Sequence, residues 1–258
     1  MTLIDTHCHI HDPEYNFDPA QTLSRAHAAG VKKIIVIGTS PSDSLLARNF
    51  ALHHPGVYWS LGHHPGECKD LADLPSAFSK PLSLDSRRLE KATRKSAGGP
   101  VAIGEIGLDY HYTPYDKKAQ ITLLEHYLDL SKTLNLPVIF HVREAFSDFW
   151  PVIDNAKIKN AVLHSFSDTQ ENLKIALEHN FLIGINGLAT FTPLPLPPLE
   201  NIILETDAPY LTPIPFRGKI NEPTYIPAIA KWVAQKYEIT LEKVAEITTQ
   251  NAKRLFHI

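Results

Sequence analysis

A slightly distorted (β/α)8 barrel, an α/β fold formed as one domain over residues 1–258, is the class that three features of the sequence predict. Eight short apolar runs rich in Val and Ile recur along the whole chain. The stretches between them are long enough to return as crossover helices. Histidines and carboxylates gather at or just past the ends of those runs. In chain order the predicted strands are 3–6 (LIDT), 33–38 (KIIVIG), 57–62 (VYWSLG), 101–107 (VAIGEIG), 138–142 (VIFHV), 161–166 (AVLHSF), 181–185 (FLIGI) and 202–207 (IILETD). Near-continuous apolar runs, rather than strict alternation, belong to parallel strands buried on both faces. Between them, Ile121, Leu124, Leu128 and Leu134 share a helical face in 117–134, as do Ile226, Ile229, Val233 and Tyr237 in 224–237. Ser42 and Thr240 are the expected N-caps. The four prolines of TFTPLPLPPLE, residues 190–200, forbid a regular helix after strand seven and predict a short loop. A doubly wound open sheet shares this local pattern, so the placement of the polar residues decides between the two.

Composition narrows the class of protein. Hydrophobic residues make up 43% and charged residues 21% of the chain, which excludes disordered, collagen-like and membrane-spanning classes. Cys8 and Cys68 have no paired spacing, against both a disulfide framework and a Cys-based zinc module. The opening MTLIDTHCHI has neither a cationic leader nor a long apolar run, so the expectation is a cytoplasmic protein with no membrane partner. A net charge of -3 does not fit a non-specific duplex binder, although a bound metal can supply the cations that a nucleic acid needs.

His7 and His9 follow strand one and His64 follows strand three; Glu105 lies in strand four, His141 in five, His164 in six, and Asp207 ends strand eight. In a closed barrel these positions share the C-terminal mouth, whereas an open sheet does not bring strands one and eight together. Alternation along an extended segment sends His7 and His9 to one side and Cys8 to the other, so two imidazoles face one ion and Cys8 packs. His7, His9, Glu105, His141, His164 and Asp207 together offer six donors, more than one zinc requires. Two divalent ions, drawn from Mg, Mn, Zn or Co, are the economical reading. Such a pair is the equipment of a hydrolase.

IDTHCH, GHHP (62–65), GEIGLD (104–109), HVREA (141–145), LHSF around His164, ETDAPYLTP (205–213) and RGKINEP (217–223) together resemble TatD-type metal-dependent deoxyribonucleases of the amidohydrolase superfamily. The resemblance runs to NAKRLF at 251–256. It implies a (β/α)8 barrel that hydrolyses phosphodiester bonds of DNA, as a 3'-5' exonuclease on single-stranded ends. It further implies that His7, His9, Glu105 and Asp207 ligate one metal, while Glu105, bridging, joins His141 and His164 on the second. Asp207 is the expected proton handler, since a carboxylate beside an activated water can accept its proton. His64 falls at the family's GxHP position and is expected to contact phosphate or assist the leaving group. Arg143 is a candidate phosphate contact, with a salt bridge as the competing role. Arg217, Lys219 and Asn221 are expected to lock their own loop, and Tyr110 and Tyr112 are candidate stacking surfaces. The stripe Arg87, Arg88, Lys91, Arg94 and Lys95 reads as a solvated helix face. An ester or amide hydrolase such as a D-aminoacyl-tRNA deacylase is the alternative, and a non-catalytic scaffold the more distant one. A monomer is expected.

Overall fold

The computed structural model describes residues 1–68 and 98–258, so the basic stripe at 87–95 lies outside the described residues. The strands are β1 (Leu3–Cys8), β2 (Val31–Val36), β3 (Val57–Leu61), β4 (Ala102–Asp109), β5 (Val138–Arg143), β6 (Ala161–Leu163), β7 (Leu182–Ile185) and β8 (Ile202–Leu204). Among the described residues the α-helices are α1 (Pro19–Ala28), α2 (Pro41–His53), α3 (Lys117–Leu134), α4 (Phe146–Ala156), α5 (Gln170–Glu178), α6 (Ile226–Lys236) and α7 (Leu241–Phe256). This is the (β/α)8 class, distorted as expected between β7 and β8. There the chain makes only the 3-10 turns Gly187–Thr190 and Leu199–Asn201, because its prolines cannot continue a helix.

Local chemistry sets the helix boundaries. Asp18, Asp116, Thr169 and Thr240 each accept a backbone N–H of the first turn, and so does Ser40, not Ser42, at the start of α2. Pro41 explains the difference: it occupies the first helical position, where a missing N–H costs nothing, and moves the cap one residue before it. In α3 the buried face is Gln120, Leu123, Leu124, Tyr127, Leu128, Ser131 and Leu134, so Ile121 sits at its edge instead. Asn135 ends that helix in the left-handed conformation.

The described residues form two compact units, Met1–Val36 with Val162–Ile258, and Ile37–Ala161. In the first, β6 pairs with β7, β7 with β8, and β1 with β2, all parallel. The chain's ends meet here: Cys8 bridges Ala208 in parallel, Asp207 N–H donates to His7 O at 2.8 Å and His9 N–H to Ala208 O at 2.7 Å. First and last strands are thereby neighbours, which an open doubly wound sheet forbids. A buried clamp fixes the junction. Asp5, wholly buried, accepts from Thr206 N–H at 2.9 Å and from the Thr206 hydroxyl at 2.6 Å, across 201 residues of sequence. Burial pushes the Asp5 carboxyl up to about 7, against the pull of its Thr206 and His7 donors. From α7, the buried Asn251 amide caps Glu200 O and Ile202 O at 2.9 Å each and so holds the entry to β8.

In the second unit β3 pairs with β4 and β4 with β5, again parallel. Gly107 lets β4 approach β5: its φ is 155°, and a Cβ there would lie 1.8 Å from His141 O. Strands β6 and β8 are shorter than the sequence predicts, so His164 and Glu205–Asp207 stand in the loops just after them.

Thr206→Val keeps the side-chain shape but removes a donor to Asp5 and an acceptor for Ala208 N–H. Urea unfolding is expected to show a loss of about 1–3 kcal/mol, and an unchanged midpoint would mean that the junction does not rest on this pair.

Candidate metal centre

In the first unit, the extended β1 places His7 and the following His9 on one side, while Cys8 points away, buried, with its thiol 3.7 Å from Ile35 O. The bonds that close β8 onto β1 bring Asp207 beside them. Its backbone is left-handed, with φ 58°, a conformation that Asp enters more readily than most residues. Asp207 Oδ1 lies 3.6 Å from His7 Nε2 and 3.5 Å from His9 Nε2. These separations are long for hydrogen bonds. They match the edge of a tetrahedral site, since two ligands each about 2.1 Å from one ion stand about 3.4 Å apart. Burial pushes the Asp207 carboxyl up, yet His9, His164 and His7 together hold it below the usual carboxylate range.

His164, just past β6, stacks on His7 with ring centroids 3.8 Å apart and planes 11° from parallel. Behind His164 lies Glu205, which is 1% exposed. Its Oε1 accepts Ser165 N–H at 2.6 Å and the Asn186 amide at 3.3 Å, and stands 3.5 Å from His164 Nδ1. Its Oε2 is buried and has no hydrogen-bond partner among the described residues. A buried carboxylate oxygen without a donor is costly unless a cation faces it. Ligand atoms of His7, His164 and Glu205 all lie within 4.8 Å of one another.

In the second unit, Glu105 projects from the middle of β4, buried, with its N–H held by Gly38 O at 3.1 Å and its carbonyl by His63 N–H at 3.0 Å. Glu105 Oε1 lies 2.8 Å from His141 Nδ1 and 3.8 Å from His64 Nε2, and the two rings are 4.4 Å apart. His64, expected as a phosphate or leaving-group contact, thus stands with Glu105 and His141. Its hydrogen bond defines its chemistry. Nδ1 accepts Gly66 N–H at 3.0 Å, so the proton of the neutral ring sits on Nε2 and that atom is a donor.

Beyond His141, its Nε2 meets Asp109 Oδ2 at 2.9 Å. Since a carboxylate accepts only, Nε2 donates, and Nδ1 is the atom left to face Glu105 and a cation. Asp109 is itself fixed. Its Oδ1 accepts His111 N–H at 2.9 Å, and the buried Gln120 amide clamps its backbone N–H and carbonyl at 2.8 Å each. Burial pushes the Asp109 carboxyl up, but the hydrogen bonds from His141 and from His111 N–H hold it below the usual range.

The six residues expected as ligands therefore fall into two groups: His7, His9, His164 and Asp207 in one unit, Glu105 and His141 in the other. Imidazole nitrogens beside carboxylate oxygens fit divalent ions of the Zn, Mn and Co type. Arg143 stands two residues beyond His141, and its guanidinium lies 5.2 Å over the exposed Tyr112 ring and 3.3 Å from its hydroxyl. Asn221 and Arg217 lock their loop as expected. Asn221, fully buried, holds Thr206 O and Tyr210 O, and Arg217 donates to Thr212 O while covering Phe191. Sequence reasoning passed over Glu205 and gave Asp109 no role, although both stand in motifs it singled out, ETDAPYLTP and GEIGLD.

Residues 4–257 match the family model described as TatD related DNase. The chain is 34% identical to the uncharacterized metal-dependent hydrolase YabD of Bacillus subtilis, over 99% of each chain. It is 31% identical to the 3'-5' ssDNA/RNA exonuclease TatD of Citrobacter rodentium, over 99% of this chain and 98% of that one. Among solved structures it superposes on YJJV, a TatD homologue from Escherichia coli K12, with a TM-score of 0.84 and 28% identity, covering 99% of this chain and 98% of that one.

Asp109→Asn puts an amide where His141 needs an acceptor. Calorimetric titration with Mn or Zn is expected to show affinity falling about 10–100-fold at the Glu105 and His141 group, with the fold intact. Unchanged affinity would reduce Asp109 to a packing residue.

Proposed function

The chain belongs to the TatD-related DNase family and is a metal-dependent hydrolase of that type, and from this premise we propose that it is a deoxyribonuclease, working from 3' to 5' on single-stranded ends with two divalent ions. The observation that carries the proposal is the placing of Asp207 Oδ1 at ligand-edge distance from two imidazoles, His7 and His9. His7, His9, His164 and Asp207 would hold one part of the metal complement, and Glu105 and His141 the other, with Mg, Mn, Zn or Co as the candidate ions. Bound divalent ions neutralise phosphate charge and lower the pKa of water to about 7.

The rest of the chemistry belongs to the chain. Asp207, kept ionised by its ring of histidines, accepts the proton of the attacking water. His64, with its hydrogen on Nε2, donates a hydrogen bond to the departing oxygen or to a phosphate oxygen. Asp109 keeps the His141 ring from turning. Arg143 meets a flanking phosphate from its position on Tyr112. We further propose that residues 1–258 act as one domain, as a cytoplasmic monomer. No helix among the described residues is long and apolar enough to cross a membrane.

Turnover on 3'-labelled and 5'-labelled single-stranded DNA, with RNA and a D-aminoacyl-tRNA alongside, tests this after reconstitution with Mg, Mn or Zn. Stepwise shortening from the 3' end is expected, falling about 10²–10⁴-fold in Asp207→Asn. Glu105→Ala is expected to lose nearly all turnover. Cleavage of the aminoacyl ester alone would overturn the substrate and keep the site; equal activity in wild type and Asp207→Asn would overturn the site.

A further inference from the structure

We propose that Tyr15 and Tyr210 form a stacking corner that receives an unpaired nucleobase of the strand whose backbone lies at the His9 and Asp207 group. Both tyrosines belong to the first unit. Tyr210 follows Asp207 by three residues, in a turn closed by its own N–H donating to Asp207 O at 2.8 Å. The position of that turn is built in: Asn221, fully buried, donates its side-chain amide to Tyr210 O and Thr206 O and its backbone N–H to Pro209 O. Yet the tyrosine that this rigid turn presents is 49% exposed. A large aromatic side chain on a fixed backbone beside a ligand group, left half open to water, carries apolar area that the fold does not use.

Tyr15 completes the corner. It ends the 3-10 turn Pro13–Tyr15, which Asp12 caps, and is half-buried. The two phenol oxygens are hydrogen-bonded to each other, and the rings stand 5.7 Å apart at 82°. The hydroxyls are thus engaged at one point while the ring planes meet nearly at a right angle. A base set against them stacks on one face and meets the other ring edge-on, both favourable for aromatic groups. The His9 and Tyr210 centroids are 6.4 Å apart, close to the span between a backbone phosphate and the base of the same or adjoining nucleotide. Stacking of this kind tolerates any base, because every base has a π face, and requires that the base be unpaired.

This inference rests on the phosphodiester reading of the metal groups for the identity of the strand, so its test is a ratio that does not depend on turnover alone. Oligothymidylates are compared with the same strands whose terminal nucleotide is abasic. Binding is followed by fluorescence anisotropy in EDTA, and cleavage by kcat/KM after metal is restored. Wild type is expected to favour the base-bearing end by about 5- to 100-fold in both measurements. Tyr210→Leu is expected to bring the ratio to near one, whereas Tyr210→Phe, which keeps the face and loses the hydroxyl, retains most of it. Tyr15→Leu, remote in sequence from the Asp207 turn, is expected to reduce the ratio as well. A wild-type ratio near one, or a ratio that survives Tyr210→Leu, overturns the stacking corner. Base-dependent binding without cleavage of either strand would instead overturn the phosphodiester reading and leave the corner standing.

Discussion

The junction between β8 and β1 is the constraint on which the first metal group depends. Asp5 and Thr206 lock together in a fully buried position, and the backbone bonds from Asp207 to His7 and from His9 to Ala208 continue the same seam toward the strand ends. Without that seam Asp207 is unrelated to the histidine pair, standing 200 positions from His7 in sequence. With it, one carboxylate oxygen stands at nearly equal distance from two imidazole nitrogens. The geometry of the donors is thus a consequence of strand pairing, which is fixed by burial and hydrogen bonds and does not wait for a ligand to organise it.

Electrostatics explains why so many ionisable groups tolerate burial. A carboxylate out of water raises its own pKa unless something positive or hydrogen-donating faces it. Asp207 and Asp109 are both held below the usual range by histidines, whereas Asp5, which has only neutral donors, is pushed up to about 7. The same carboxylates serve the histidines in return. Asp109 fixes which nitrogen of His141 carries a proton, and Glu205 backs His164 from its Oε1 side. His141 and His164 are thereby each supported by a carboxylate that orients the ring, the arrangement that gives a metal site its affinity.

Much of this was legible in the residues. Eight Val- and Ile-rich runs and the clustering of His and Asp at their ends pointed to a closed barrel, because only closure makes use of ligands on both the first and the last strand. The Pro-rich 190–200 segment read correctly as a break in the helix pattern, since proline's missing donor is a local property. Three features were not legible. The cap of α2 sits at Ser40, two residues before Ser42, because Pro41 takes the first helical position. The approach of His64 to Glu105 depends on how far a side chain reaches past the strand end, which strand order alone does not say. The role of Asp109 depends on a hydrogen bond to His141, 32 positions away, and that of Glu205 on its approach to His164, 41 positions away. No periodicity encodes such partners.

The central claim is that the chain carries two donor groups, each able to retain an ion. Counting metal per chain by mass spectrometry tests this most directly, after reconstitution with Mn or Zn and gel filtration, in the wild type, in Asp207→Asn and in His141→Ala. The account predicts two ions per wild-type chain and about one in each variant. One ion per wild-type chain, lost alike from both variants, would contradict it.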